Sequence, residues 1–379
     1  MKILFTGGGT GGHFFPIIAV VEGLERISDR EHIVGLDLYY MSDDPYDKET
    51  LFKHKLRYIE VKTGKIRTYA SKENFFDKFR IIGACVVALW KMFVIFPDVV
   101  FGKGGYASFP AVFAARILRI PVVIHESDIV PGRVNKWIAP YATKIAISYP
   151  ETAKYLPLKA RDRAALTGQP VRASMLEEPT EDPIAALGLE PDLPVILVIG
   201  GSLGAENINE NLIDIMPDLV QRYQIIHQTG ENNYEWMKKR AEGVLAKNPL
   251  AGRYNPYPFL DSRTLRLAAK ACDLVVSRAG SAIFEIAHWR RPSIIIPLSI
   301  AHGDHQRENA YSYARTGAAT VIEEQNLRPT LFLSVIDKLM QDTALRQKMA
   351  ESTSTFAVTD AGDKIAQALI NIGLRHEHE

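Results

Sequence analysis

Five of the six residues in Gly7-Gly8-Gly9-Thr10-Gly11-Gly12 are glycine, and the run joins a β-type segment, Lys2–Thr6, to His13 and an apolar helical stretch. Glycine loses more backbone entropy on folding than any other residue, so a cluster this dense is poorly explained by packing. It offers bare backbone that a ligand can approach closely, with free N–H groups at a helix N-terminus, where phosphate, pyrophosphate or another anion is favoured. The dinucleotide fingerprint does not fit, because His13 stands where a third, helix-packing glycine belongs. A P-loop does not fit either, because no Lys-Ser or Lys-Thr follows.

The chain has 379 residues, a length that suggests two domains. A formal charge of +1 gives no pointer to nucleic acid. Cys85 and Cys272 lie far apart in apolar runs and read as buried thiols of a reducing compartment rather than a disulfide framework. No signal-peptide pattern is read at the N-terminus. The longest apolar stretch, Ile81–Trp90, is too short to span a bilayer. A soluble or peripheral, cytoplasmic protein is expected.

Strand-like runs at Lys2–Thr6, Leu36–Met41, Tyr58–Val61, Val99–Gly102, Val122–His125 and Lys144–Ser148 alternate with helical patterns. The helical patterns are Pro16–Ser28, Lys78–Phe93, Phe109–Leu118 and Asn135–Tyr141. This is the rhythm of a parallel sheet covered by helices on both faces. A second series begins at Pro194 and runs through Val195–Ile199, Gln224–Gln228, Leu274–Val276, Ser293–Ile296 and Ala319–Val321. Between the two, residues 160–194 are rich in proline and charge, which sets a boundary near Thr167-Gly168-Gln169-Pro170. The second series repeats the device of the first: Gly200-Gly201-Ser202-Leu203-Gly204 follows its opening strand. Ligands of open α/β sheets sit outside the carboxyl ends of the strands, so two such domains are expected to face one another across a cleft.

Three further stretches carry chemistry. Gly102-Lys103-Gly104-Gly105-Tyr106 is another strand-to-glycine-to-helix turn and another anion-binding candidate. His125-Glu126-Ser127-Asp128 follows a buried strand; His125 reads as structural, whereas His13, at the rim of a glycine turn, reads as functional. Ser277-Arg278-Ala279-Gly280-Ser281 leads into a helix carrying Glu285, whose carboxylate suits a vicinal diol; a bland reading is a glutamate favoured by the helix dipole. His302, Asp304, His305 and Gln306 cluster after the strand Ser293–Ile296. Metal is not expected there, because matching carboxylates are missing and Gln and Asn are poor transition-metal ligands. Hydroxyl recognition suits them better.

Together these stretches, with Gly168-Gln169-Pro170-Val171-Arg172 and Asp304-His305-Gln306, resemble the MurG family of UDP-N-acetylglucosamine transferases, in this order and over nearly the whole chain. The resemblance implies an α/β GT-B fold, two Rossmann-like domains facing across a cleft. Residues 1–165 would form an acceptor- and membrane-binding domain, 166–358 a UDP-GlcNAc-binding domain, and 359–379 a helix (Asp363–Leu374) and tail crossing back to the first. It further implies that Glu285 holds the ribose, Leu260 lies by the uracil, and Ser202 and Arg172 meet the diphosphate. Gln306 with His305 would read sugar hydroxyls, with Asp128, Ala282 and Ile283 also against the donor. Thr10, Gly11, Gly12 and His13 would complete the site, His13 as base. Gly102, Gly104, Gly105 and Tyr106 would take the acceptor's pyrophosphate.

The implied partners are UDP-GlcNAc, a polyprenyl-pyrophosphate-linked MurNAc-peptide (lipid I) and the cytoplasmic face of the cell membrane, with no nucleic acid, no cofactor and no metal. Where the family commonly has Asn, this chain has Asp128 and Gln169, and its Gly280-to-Glu285 spacing is one residue shorter. Apart from the family, the mixed aromatic and basic stretch from Asn74 to Phe93, with Lys62, Lys65 and Arg67 upstream, suits a membrane interface. Alternatives are a transferase with another lipid acceptor, a nucleotide-sugar 2-epimerase and a non-catalytic UDP-sugar binder.

Overall fold

A computed structural model describes residues 1–64, 73–200, 205–299 and 304–377. The chain divides into two units, Met1–Arg172 with Val358–Glu379, and Ala173–Ala357. The first unit holds a seven-stranded parallel sheet. Its strands are β1 (Lys2–Thr6), β2 (Asp37–Ser42), β3 (Arg57–Glu60), β4 (Val99–Gly102), β5 (Val122–Glu126), β6 (Lys144–Ile147) and β7 (Ala164–Leu166), in the order β3-β2-β1-β4-β5-β6-β7. The second unit holds β8 (Val195–Ile199), β9 (Gln224–Gln228), β10 (Tyr254–Tyr257), β11 (Leu274–Ser277), β12 (Ser293–Ile295) and β13 (Ala319–Val321), in the order β10-β9-β8-β11-β12-β13. Both sheets are Rossmann-like, and each reverses its strand order beside its first strand.

Strand alternation explains the layering. Ile3, Phe5, Val99, Phe101 and Val123 face one side of the first sheet and pack under the helices Gly11–Glu31 and Ala361–Glu377. Leu4, Val100, Val122 and Ile124 face the other side, under the helices Glu73–Ile95 and Phe109–Leu118. A sheet covered on both faces needs strands that are apolar throughout, and these are. The second sheet repeats the plan: Ile196, Val198 and Val276 meet the helix Glu206–Leu219, and Leu197, Val275 and Ile295 meet the helix Ala282–His288.

Two differences from the sequence reading have clear causes. The first helix begins at Gly11, not Pro16. Its first turn is glycine and histidine, without apolar periodicity, yet Phe14 N–H already bonds Thr10 O at 3.2 Å. The first unit runs to Arg172 rather than ending at 165. β7 completes its sheet, and Gln169 Oε1 accepts from Ser127 Oγ at 2.8 Å, which ties the following turn to the same unit. The C-terminal helix Ala361–Glu377 belongs to this unit too, laid along the helix Gly11–Glu31.

The helix Glu73–Ile95 turns Ala84, Ala88 and Met92 inward. On its other side Ile82, Val86, Trp90 and Phe93 are exposed, the last two at 66% and 65%. No helix among the described residues is long and apolar enough to cross a membrane. Lys65 and Arg67 lie outside the described residues, as do the side chains of Asn74 and Phe75.

Candidate functional sites of the two units

In the first unit the strand order reverses between β1 and β4, so the crevice at their carboxyl ends is where a ligand is expected. Both glycine turns of this unit open there. Gly11 and Gly12 form the first turn of the helix, whose leading N–H groups have no intrahelical partner. Thr10 Oγ1 lies 3.0 Å from His13 Nδ1. Gly105 has φ +79, and a β-carbon there would stand 3.0 Å from Gly8 O and 3.4 Å from His13 Nε2. Glycine at 105 therefore permits the left-handed backbone and keeps the space beside Nε2 open. In the tautomer that donates Nδ1–H to Thr10 Oγ1, Nε2 presents its lone pair to that space.

The electrostatics keep His13 neutral. Burial, then the charge of Lys103, hold its pKa down to about 4, against a smaller upward pull from Asp128. Lys103 follows β4 and is 2% exposed. Burial pulls its ammonium down to about 8, opposed by Glu126 and Asp128. Its Nζ donates to Ser127 Oγ, which donates to Gln169 Oε1. Ser148 Oγ reaches the same Oε1 at 3.3 Å and lies 3.2 Å from His125 Nε2. His125 Nε2 donates to Gly168 O at 3.0 Å, which leaves Nδ1 bare and without a partner. Burial first, then Lys103, drive its pKa well below the ordinary value, so His125 is a neutral structural histidine.

Glu126 shapes the loop after β5. Its oxygens accept Asp128 N–H at 3.1 Å, Gly132 N–H at 2.9 Å and Asn135 Nδ2 at 2.9 Å. Burial and Asp128 raise its pKa. From the end of β2, Asp43 Oδ2 accepts Tyr106 O–H at 2.6 Å. The guanidinium of Arg172 stacks on Phe15 at 3.6 Å, which makes Arg172 a residue of the first unit rather than of the second as expected. Thr10, Gly11, Gly12, His13, Gly102, Gly104, Gly105, Tyr106 and Asp128 thus gather around one crevice. Sequence reasoning missed Asp43, Ser148 and the linkage through Ser127 and Gln169. Asp43 directly follows β2, a neighbour of β1, and that placement was the available signal.

In the second unit the order reverses between β8 and β11, with Ile199 paired to Ser277. Gly201, Ser202, Leu203 and Gly204 of the glycine turn lie outside the described residues, as does His302. Ser281 precedes the helix Ala282–His288, so Glu285 stands one turn in, half-buried. Ala282 is also half-buried. Ile283 and Leu260 are core side chains, so their backbones are what they can offer a ligand; Leu260 N–H is held by Gln228 Oε1 at 2.9 Å and Ile283 N–H by Gly280 O at 3.2 Å.

His305 begins a helix (His305–Ala314), and Gln306 Oε1 accepts Leu298 N–H at 3.0 Å, pinning the loop after β12. Glu324 fixes the same loop by accepting Ser299 N–H and Oγ–H while its other oxygen pairs with Arg278 at 2.5 Å. Arg278 and Glu324 were not expected as a pair, because 45 residues of intervening chain hide it. Among the described residues no cluster of His, Cys, Asp and Glu has the geometry of a metal site.

Two family models match the chain: the glycosyltransferase family 28 N-terminal domain over residues 3–147 and the family 28 C-terminal domain over residues 195–365. A protein of Clostridium kluyveri named UDP-N-acetylglucosamine–N-acetylmuramyl-(pentapeptide) pyrophosphoryl-undecaprenol N-acetylglucosamine transferase is 36% identical over 369 residues, 96% of this chain and 97% of the relative. One of the same name from Treponema denticola is 35% identical over 354 residues, 89% of this chain and 88% of the relative. Among solved structures, Acinetobacter baumannii MurG is similar with a TM-score of 0.71 at 26% identity, covering 98% of this chain and 99% of that one. A UDP-GlcNAc 2-epimerase from Neisseria meningitidis shares the fold at 14% identity, TM-score 0.68, over 98% of this chain and 100% of that one.

Proposed function

The chain belongs to the MurG family of glycosyltransferases, family 28, and from that membership we infer that it transfers N-acetylglucosamine from UDP-GlcNAc to lipid I, forming lipid II for peptidoglycan. The agreement with N-acetylglucosamine transferases over nearly the whole chain carries this reading. The geometry around His13 supports it independently.

The C4 hydroxyl of the MurNAc unit attacks C1 of the donor sugar, with inversion, while negative charge grows on the departing UDP. His13 takes the hydroxyl proton at Nε2, a role suited to an imidazole held neutral with open space beside it. The glycine turns at Gly102, Gly104, Gly105 and Tyr106 meet the acceptor's pyrophosphate through backbone N–H groups. On the donor side Glu285 takes the ribose hydroxyls, Leu260 the uracil, and Gln306 with His305 the sugar. Ala282 and Ile283 lie along the donor, with Ser202 and Arg172 at its diphosphate and Thr10, Gly11, Gly12 and Asp128 near the sugar. Oriented donors of this kind stabilise the leaving diphosphate without a metal.

The exposed face of the helix Glu73–Ile95 meets the cytoplasmic membrane surface, where the lipid-linked acceptor resides. Ile82, Val86, Trp90 and Phe93 supply the apolar contact, and Lys78 and Arg80 at the start of the helix supply positive charge. Replacing Trp90 and Phe93 together with serine is expected to reduce co-sedimentation with anionic liposomes severalfold and to leave turnover of a water-soluble acceptor unchanged. Unaltered liposome binding would count against this face.

The deciding experiment is UDP release from UDP-GlcNAc with a soluble lipid I analogue in the presence of EDTA. Release that depends on the analogue is expected. Saturable binding of UDP-GlcNAc without such release would turn the reading towards another acceptor or a non-catalytic binder.

A further inference from the structure

Pro258, Phe259 and Leu260 lead from the carboxyl end of β10 to the helix Ser262–Ala271. The stretch is anchored on both sides. Tyr257 O accepts Thr229 N–H at 2.9 Å, and Asp261 Oδ1 caps the helix by accepting Thr264 N–H at 2.7 Å. Between these anchors, among the described residues, one hydrogen bond holds the chain: Leu260 N–H donates to Gln228 Oε1 at 2.9 Å.

Gln228 is the last residue of β9. Its register partners are Ile199 in β8 and Tyr257 in β10, which puts it in the terminal row of the sheet, on the strand beside β8, where the order reverses. Strand alternation gives it the same face as Ile226, and the core on that face also takes the Leu260 side chain, 2% exposed. Phe259, one residue earlier, is 45% exposed. The Phe259–Leu260 peptide therefore lies at the boundary between core and solvent. It is trans, so its C=O is directed opposite to its N–H. With the N–H held by Gln228, the Phe259 carbonyl points away from β9, and among the described residues nothing donates to it. The donor of this peptide is spent and its acceptor is presented.

We propose that Gln228 is a positioning residue for base recognition: by holding Leu260 N–H it fixes the Phe259–Leu260 peptide with its acceptor outward, and so selects uridine over cytidine nucleotides. That a uracil lies here rests on the transferase reading; that Gln228 sets the polarity of the peptide does not. Uracil carries a donor at N3, which an outward carbonyl accepts. Cytosine carries a lone pair at N3, which the same carbonyl repels. Without the Gln228 acceptor the peptide is free to rotate and present its N–H, the polarity that suits cytosine. A site built to hydrogen-bond one ligand rejects an analogue that leaves its polar group unpaired.

The test measures dissociation constants of UDP and CDP by calorimetry, for the full chain and for Gln228→Met, which keeps the length of the side chain and removes the acceptor. Wild type is expected to prefer UDP by roughly a hundredfold, the effect of one hydrogen bond made together with one unpaired group avoided. In Gln228→Met the preference should fall to about tenfold or less, and KM for UDP-GlcNAc should rise by a larger factor than kcat falls. Gln228→Glu keeps an acceptor at the same reach and should retain the wild-type preference. A purely structural role would lower the melting temperature without moving the ratio of the two nucleotides.

Equal affinity of wild type for UDP and CDP, or an unchanged preference in Gln228→Met, overturns the proposal. If Gln228→Met does not fold, 3-deazauridine diphosphate, which has C–H in place of N3–H, decides on the wild-type protein. Binding roughly tenfold weaker than that of UDP is then expected, and equally tight binding overturns the proposal. Should wild type turn over the lipid I analogue while Gln228→Met keeps the preference for UDP, the Gln228 proposal fails and the transferase reading stands. A preference for UDP that needs Gln228, in a protein that never releases UDP from UDP-GlcNAc, upholds Gln228 and sinks the transferase reading.

Discussion

Replacing His13 with alanine is expected to lower kcat by roughly a hundred- to ten-thousandfold, the range that general-base catalysis supplies. UDP affinity should barely change, because the group lost acts on the acceptor hydroxyl. The pH profile carries a second signature. Burial and the Lys103 charge hold His13 near 4. Its proton-accepting form is therefore present above about pH 4, and kcat/KM should hold its plateau at about pH 5, where an ordinary imidazole would be mostly charged. An alanine variant with near-normal turnover would remove His13 from the chemistry. A wild-type acid limb near 6.5 would show that the burial and the Lys103 charge do not act on it as described.

Glu324→Ala is expected to destabilise the second unit by about 3–5 kcal/mol, because it strands Arg278, whose side chain is 12% exposed, without its partner. For a unit of this size that corresponds to a fall in its melting temperature of roughly 6–20 °C, read by calorimetry. The same change releases Ser299, so the loop after β12, which Gln306 also pins, loses an anchor and the KM for UDP-GlcNAc should rise. Burial pushes the Glu324 carboxyl up, but the Ser299 and Arg278 hydrogen bonds outweigh it and the net shift is downward. A lowered carboxylate contributes stability that is complete above its unfolded value of 4.5 and fades as pH falls through the folded one. A melting temperature shifted by less than about a degree would mean that the pair contributes nothing net.

Much of the fold was legible because buried parallel strands are written as short unbroken apolar runs. The strands Lys2–Thr6, Val99–Gly102, Val195–Ile199 and Gln224–Gln228 have the bounds their sequences suggest. β7 was not legible: Ala164–Leu166 is three residues of low β-propensity inside a stretch of charge and proline. β10 was hidden by Pro256, which lacks a ladder donor and is tolerated because β10 lies at a sheet edge. The glycine turns announced the crevices, since glycine clusters have few other uses. The polar chain from Lys103 through Ser127 and Gln169 to Ser148 was not legible, because its members lie up to 66 residues apart and each is unremarkable alone.

The first unit is built from both ends of the polypeptide, with all of the second unit inserted between them. Gly362 fits so tightly against the first helix that a β-carbon on it would stand 2.7 Å from Ala19 O. During synthesis, therefore, Ile17, Val21 and Leu24 emerge without the covering supplied by Ile365, Ala366 and Leu369. At about 5–20 residues per second, translation of the inserted unit imposes a delay of roughly ten to forty seconds before that cover exists. The second unit, an uninterrupted stretch, is free to complete itself on the ribosome. The first must wait as an open-faced half, and it is there that a nascent-chain chaperone has something to hold.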